Sequence, residues 1–229
     1  NGQEYIDCVA GHGVANLGHS HPAVIAAIKQ QAANLITCPE IFHNDQRARL
    51  LAHLTSIAPG AMQRAFLCNS GTEAVEAALK FARISTGRTE VISTMRSFHG
   101  RTTGALALTG QRKHRVPFEP LLPDVKHIPY NNIEALRAAV SDRTAAMILE
   151  VVQGEGGVRP AGADYLSAAQ SLCQQHGALL IMDEVQTGLG RTGKMFACDN
   201  YELEPDILCL AKSLAGGLPM GATLLGPRV

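Results

Sequence analysis

The sequence has 229 residues, and its 20 Lys and Arg residues balance its 20 Asp and Glu residues. A formal net charge of zero argues against a nucleic acid or an anionic membrane as the main partner, because both require a basic face. Hydrophobic residues make up 46% of the chain, a composition typical of a globular protein, and no apolar run approaches the ~20 residues that span a bilayer.

The predicted elements alternate between helices and strands along the chain. In order, we expect helices at 23–32 and after Asn44 or Asp45, a strand at 65–68, a helix at 72–84, strands at 90–93 and 125–128, a helix at 133–140, a strand at 145–152, a helix at 165–176, and strands at 178–182, 207–210 and 222–225. Unbroken apolar strands between helices indicate a mostly parallel sheet covered on both faces. The sequence therefore predicts a three-layer α/β fold, with its ligand site beyond the carboxyl ends of the strands.

Polar segments follow four of these strands, and each admits an ordinary structural reading beside a functional one. Ser70 and Thr72 either cap a helix or, with Gly71, bind a phosphate at its N-terminus, where free N–H groups and the helix dipole favour anions. Asp183 is either a solvated loop acid or a buried carboxylate that needs a cationic partner. Lys212 either extends to solvent or is a desolvated amine whose lowered pKa makes it a nucleophile for carbonyls.

Phe98 and Arg101 follow the strand at 90–93, and they are either a core ring and a surface cation or contacts for a flat ring and a carboxylate. Taken together, the four segments describe a ligand with a phosphate, a flat cationic ring and an aldehyde. Phe98 and Val185 would sandwich the ring, and Asp183 would keep its nitrogen protonated. Lys212 would react with the aldehyde. Pyridoxal 5′-phosphate carries these groups, and its protonated ring serves as an electron sink.

The sequence resembles the class III aminotransferases in collinear stretches that run through the whole chain. These stretches are Gly11–Gly13, Gly18–Pro22, Asn69–Ala74, Phe98–Thr102, Gln153–Gly157, Asp183–Gly188, Gly190–Gly193 and Asp206–Lys212. The resemblance implies the large domain of the fold-type-I transferases that depend on pyridoxal phosphate. Within the family, the sequence looks most like acetylornithine aminotransferases and their relatives acting on carrier-protein-linked lysine.

The resemblance also implies a role for individual residues. Those that would contact the cofactor are Ser70, Gly71, Thr72, Phe98, His99, Asp183, Val185, Gln186 and Lys212. Lys212 would be the catalytic residue, holding the cofactor as an aldimine and then moving a proton, while Gln186 would bond the phenolic oxygen of the ring. Arg101 resembles the arginine that binds the substrate carboxylate, and Glu155 resembles the gating carboxylate of the members acting on ω-amines.

The activity implied by this resemblance is transfer of a terminal amino group from an acetylornithine-like donor to 2-oxoglutarate, in a homodimer serving arginine or lysine biosynthesis. Ornithine and 4-aminobutyrate remain alternative donors. The family's two-domain architecture predicts that residues 1–20 join a small domain and that residues 21–229 form the large cofactor-binding domain. We expect the C-terminal small domain to be absent, and the fragment to be inactive alone.

Three other patterns lead to weaker hypotheses. Gly188–Lys194 fits both G-x-G-x-x-G and most of a phosphate-binding loop, but Met195 replaces the hydroxyl that would hold magnesium, so a nucleotide-binding protein is a remote alternative. His19 and His21 lie in a turn without a third ligand, and we predict no metal site. The six cysteines form no C-x-x-C pair, which is typical of free thiols in a cytoplasmic protein. A binding module that lost catalytic activity is also left open.

Overall fold

The computed structural model describes residues 1–229, and its centre is a seven-stranded sheet. The strands are β1 (Arg64–Cys68), β2 (Glu90–Thr94), β3 (Val125–Ile128), β4 (Thr144–Leu149), β5 (Val152–Gln153), β6 (Arg159–Pro160), β7 (Leu179–Asp183), β8 (Ile207–Leu210) and β9 (Gly221–Leu225). The large sheet has the order β1-β9-β8-β7-β4-β2-β3, while β5 and β6 form a separate antiparallel pair.

Five strands of the large sheet, from β8 to β3, run parallel, and β9 is antiparallel to both β8 and β1. The helices are α1 (Ala10–Gly13), α2 (Pro22–Asn34), α3 (Asp45–Ile57), α4 (Gly71–Thr86), α5 (Thr103–Leu108), α6 (Arg112–Arg115), α7 (Ile133–Ala139) and α8 (Ala163–Gln175). Short 3₁₀ turns add Val116–Phe118, Ala197–Asn200 and Lys212–Ala215.

Helices cover both faces of the sheet. Successive side chains of each buried strand point to opposite faces, so each strand contributes to two separate cores. In β4, Met147 and Leu149 belong to a core shared with α7 and α8, whereas Ala146 and Ile148 belong to a second core shared with α4. The predicted three-layer α/β fold with a mostly parallel sheet is confirmed. The apolar run of β4 shows no alternation in sequence, since both of its faces are buried.

The strand predicted at 145–152 is wrong at its carboxyl end. β4 stops at Leu149, and Val152 pairs instead with Pro160 in the small β5–β6 hairpin. The apolar Val151 and Val152 continued the hydrophobic pattern and concealed the end of the strand. Glu150 thereby leaves the sheet at its carboxyl edge, where it is 5% exposed.

Local sequence explains how α4 is placed at the same edge. The Ser70 side chain caps the helix by accepting the backbone N–H of Glu73, and the Glu73 carboxylate accepts the N–H of Asn69, the residue before the cap. Gly87, in the left-handed conformation, ends the helix. The N-terminus of α4 therefore opens directly beyond the end of β1.

Candidate active site

The four polar segments that follow β1, β2, β7 and β8 meet around one cavity of about 380 Å³. The structure brings together at this cavity every residue that the sequence assigned to a cofactor or substrate: Ser70, Gly71, Thr72, Phe98, His99, Arg101, Glu155, Asp183, Val185, Gln186 and Lys212. Parallel strands present their carboxyl ends at a common edge, and this is the reason that segments far apart in sequence converge.

The N-terminus of α4 forms one wall of the cavity. A Cβ on Gly71 would lie 2.9 Å from a methyl carbon of Val185, and one on Gly100 would collide with the Thr72 side chain, so both positions require glycine. The Thr72 hydroxyl accepts the backbone N–H of Arg101. The start of this 16-residue helix fits a phosphate group, because its first N–H groups and its dipole favour an anion.

Asp183 ends β7 inside the protein and pairs with His99. Its Oδ2 lies 2.7 Å from the His99 Nδ1, and its Oδ1 accepts the backbone N–H of Val185. Burial alone would lower the pKa of His99, but the hydrogen bond and charge of Asp183, with the charge of Glu150, raise it above its ordinary value. The alternative of a solvated loop acid is wrong, since Asp183 is only 5% exposed.

Lys212 begins the turn after β8, and its amine makes no hydrogen bond or ion pair. Desolvation lowers the pKa of this amine, although the charges of Asp183, Glu150 and Glu155 act in the opposite direction. Its backbone has a φ of 44°, a region that residues other than glycine rarely adopt. Such strain is concentrated at functional sites, where the surrounding structure maintains it.

These groups fit pyridoxal 5′-phosphate. The helix N-terminus suits the phosphate, the Asp183 carboxylate suits a protonated ring nitrogen, and the free amine of Lys212 suits the aldehyde. The buried Nε2 of His99 has no hydrogen-bond partner. The cavity therefore supplies an anion site, a carboxylate and an amine together, as that cofactor requires.

Two predicted substrate contacts lie at the mouth of the cavity. The side chains of Arg101 and Glu155 are both exposed, and no ion pair joins them. The backbone carbonyl of Glu155 accepts a hydrogen bond from Gln111. Both charges are thus free to meet a ligand of opposite charge.

Sequence reasoning missed Glu150, which also lines the cavity. Its two carboxylate oxygens accept the backbone N–H groups of Phe98 and Gly154. Burial raises the pKa of Glu150 to about 7, with Asp183 adding to the rise and His99 opposing it. The missed signal is the first acid after the five-residue apolar run 145–149, which was hidden by the assignment of residues 145–152 to one strand.

The early glycine-rich stretch contacts the site as well. A Cβ on Gly13 would lie 2.6 Å from the Gln186 Nε2, and the Gly13 carbonyl accepts hydrogen bonds from Arg191 and Ser213. Asn16 donates to the carbonyl of Leu189. These contacts connect the start of the chain to the loops that carry Gln186 and Lys212.

The segment that resembles a phosphate-binding loop has a different structure. Residues 188–195 form turns, and only the short 3₁₀ turn Ala197–Asn200 follows them. A nucleotide site of that kind requires a helix N-terminus at this point. The geometry therefore disfavours the nucleotide alternative.

The fold and the cavity are those expected of a domain that binds pyridoxal phosphate. The family model described as aminotransferase class-III matches residues 1–229, and the chain belongs to that family. None of its helices combines the length and the apolar character needed to cross a membrane.

Two curated relatives show the similarity in sequence. The chain is 51% identical over 224 residues to a LysW-aminoadipate semialdehyde transaminase of Deinococcus radiodurans, covering 97% of this chain and 52% of that protein. It is 50% identical over 228 residues to an acetylornithine aminotransferase of Methanopyrus kandleri, covering 100% of this chain and 59% of that protein. The chain thus spans somewhat more than half the length of these relatives.

Solved structures show the similarity in fold. The ornithine aminotransferase of Toxoplasma gondii, described with partial occupancy of pyridoxal phosphate, superposes with a TM-score of 0.93 at 37% identity, over 99% of this chain and 56% of that one. The N-acetylornithine aminotransferase of Stenotrophomonas maltophilia superposes with a TM-score of 0.86 at 36% identity, over 100% and 58% of the two chains.

Proposed function

We propose that the full-length protein transfers the terminal amino group of an acetylornithine-like donor to 2-oxoglutarate. The observation that carries this proposal is the unpaired amine of Lys212 in the same cavity as the buried carboxylate of Asp183. The curated relatives named for acetylornithine and for aminoadipate semialdehyde support a terminal amine as the donor.

The residues of the cavity divide the work of this reaction. When bound, pyridoxal 5′-phosphate supplies an electron sink for the charge that develops at the donor carbon. Asp183 holds a proton at the ring nitrogen, and His99 orients the Asp183 carboxylate. Lys212 would hold the cofactor through its amine and would carry the proton removed from the donor carbon, roles that the lowered pKa of the amine supports.

The remaining predicted contacts complete the proposed site. Ser70, Gly71 and Thr72 bind the phosphate, and Gln186 bonds the phenolic oxygen. Phe98 and Val185, the two apolar side chains that the sequence assigned to the ring, would pack against it, and both line the cavity. Arg101 binds the donor carboxylate, and Glu155 acts as the gating carboxylate. The exposure of both side chains at the mouth of the cavity supports these roles.

We also propose that residues 1–20 join a small domain, that residues 21–229 form the large domain, and that the protein is a cytoplasmic homodimer. Large apolar side chains exposed in the first part of the chain support a further contact there. They include Tyr5, Ile6, Leu17, Ile36, Ile41 and Phe42. Large apolar side chains exposed together in one part of a chain are typical of regions that another domain or subunit covers.

A half-reaction scan of the full-length holoenzyme tests the proposed function. Each terminal amine is added separately, and the visible absorbance of the bound cofactor is followed. We expect N-acetylornithine to discharge the band fastest and 2-oxoglutarate to restore it. Faster conversion by ornithine or 4-aminobutyrate would favour those donors instead, and a holoenzyme that converts no amine would refute the transaminase.

A further inference from the structure

Glu150 connects two loops that come from different strands. Its Oε1 accepts the backbone N–H of Phe98 at 3.0 Å, in the loop after β2. Its Oε2 accepts the backbone N–H of Gly154 at 3.3 Å, in the turn that joins β5 to β6. Phe98 and the neighbour of Gly154, Glu155, both line the cavity. One carboxylate therefore sets the relative position of two walls of the site.

The chemistry of this contact requires a carboxylate. Two N–H donors approach two separate oxygens, and a glutamine would offer only one acceptor oxygen. Glu150 is 5% exposed and takes part in no ion pair, so its ionised form is costly to bury. A buried acid that carries this cost and also lines the cavity indicates a role beyond packing.

We propose that Glu150 is a positioning residue for the proposed transamination: its ionised carboxylate holds the Phe98 loop and the Gly154 turn so that both face the same bound cofactor. This inference rests on the proposed function and adds a residue to it. Phe98 supplies a ring wall of the cavity, and Glu155 lies at its mouth. Loss of the carboxylate releases at least one of the two backbones.

The titratable groups around Glu150 come from four neighbouring elements. They are His99 after β2, Tyr130 after β3, Asp183 at the end of β7 and Lys212 after β8. Asp183 disfavours ionisation of Glu150, whereas protonated His99 favours it. Because the pKa of Glu150 is about 7, protonation below that pH removes one acceptor and loosens the contact.

The test compares full-length wild type with Glu150→Gln and with a matched control, Asp206→Asn. Asp206 is also a buried acid that accepts a backbone N–H, from Leu180, but it lies at the opposite end of β8. The affinity for pyridoxal phosphate is measured by visible absorbance, and the orientation of the bound ring by visible circular dichroism per mole of cofactor. Both are recorded between about pH 6 and pH 8.5, a range that spans the Glu150 titration.

We expect Glu150→Gln to weaken cofactor binding by about tenfold or more, because one charge-assisted hydrogen bond is lost. Its visible dichroism should fall and should no longer depend on pH near 7. Wild type and Asp206→Asn should share a pH-dependent signal that declines below pH 7. A general loss of stability would affect Asp206→Asn as well, and so the comparison separates positioning from folding.

Glu150→Ala provides a second variant that removes both contacts, and its dichroism should be lower than that of Glu150→Gln. The inference is overturned if Glu150→Gln matches wild type in affinity, dichroism and pH profile. If wild type itself binds no pyridoxal phosphate or converts no amine, the proposed function fails. If wild type converts amines and the Gln variant is unchanged, only the role of Glu150 fails.

Discussion

The two ends of the parallel strands differ in whether their buried charged side chains form ion pairs. At the amino end, Asp206 accepts the backbone N–H of Leu180 and forms an ion pair with Arg228. Glu90, which begins β2, pairs with Lys126. Every buried acid at this end has a cationic partner, and the result is an anchor between neighbouring elements.

At the carboxyl end, only Asp183 has such a partner, the His99 ring. Glu150 takes part in no ion pair, and Lys212, although largely desolvated, is not paired with either acid. The comparison shows that similar residue types serve stability where they neutralise one another. They are available for chemistry where an amine, Lys212, and two acids, Asp183 and Glu150, line one cavity without forming ion pairs with one another.

The largest effect is expected at Lys212. Lys212→Ala removes the amine that attaches the cofactor and moves the proton, and transamination should fall by roughly a thousandfold or more. Single-turnover rates of the full-length variant and borohydride trapping of the cofactor measure this loss. Lys80→Ala, which changes an exposed lysine of α4, should leave both unchanged. Retention of trapped cofactor in the Lys212 variant would contradict the assignment.

The second largest effect is expected at Asp183, the acid at the carboxyl end of the strands that pairs with His99. Asp183→Ala leaves the buried His99 without its counter-ion and removes the carboxylate proposed to hold the ring proton, so the proton-transfer rate should fall by at least about a hundredfold. Asp142→Ala is the matched control, because Asp142 also pairs with a histidine, His176, but is exposed. Equal rates in the two variants would remove the functional distinction between these pairs.

The titration of Glu150, which has no ion-pair partner, should change how the free energy of unfolding depends on pH. Its folded pKa of about 7 exceeds the ordinary 4.5, so the folded state holds the proton more tightly, and this contribution to stability is lost as pH rises through about 7. As pH rises from about 4.5 to about 7, urea unfolding of the cofactor-free full-length protein should show wild type losing roughly 3 kcal/mol more stability than Glu150→Gln. Parallel curves would show that Glu150 does not titrate there.

The amino end should respond in stability alone. Asp206→Asn breaks the ion pair with Arg228 and should lower the free energy of unfolding by about 2 kcal/mol, measured by urea unfolding. Cofactor affinity should not change, because Asp206 does not line the cavity. A weakened affinity would mean that the two ends of β8 are coupled.

The smallest effect is expected where the early segment meets the site. Gly13 and Gly18 have φ values of 83° and 80°, so alanine at either position should cost about 1 kcal/mol of stability. Only a Cβ at Gly13 would displace Gln186, whereas nothing lies within 4 Å of one at Gly18. Cofactor affinity should therefore fall roughly threefold in Gly13→Ala alone. Equal affinities would show that this contact does not matter to the cofactor.

Much of the architecture could be predicted because it depends on local patterns. The unbroken apolar runs that became β4, β7 and β8 can be buried only in a sheet covered on both faces, whereas the strand order and the antiparallel β9 were not predicted. The positions of Ser70, Asp183 and Lys212 beside strand ends predicted their meeting, since all parallel strands end at one edge.

The failures came from contacts between distant residues. Val151 and Val152 extend the apolar pattern past the true end of β4, and only the pairing of Val152 with Pro160 shows that the strand has ended. The contact of Glu150 with the Phe98 backbone joins residues 52 positions apart, and nothing in the sequence near either one signals it.

The sequence by itself determined the layers of the fold and the list of reactive groups at its carboxyl edge, because hydrophobic period and strand ends are local properties. The tertiary structure decided which of those groups are paired. Asp183 pairs with His99 and Asp206 pairs with Arg228, while Lys212 and Glu150 have no ion-pair partner. Pairing depends on distances of a few ångströms between elements, and those distances exist only once the layers have packed.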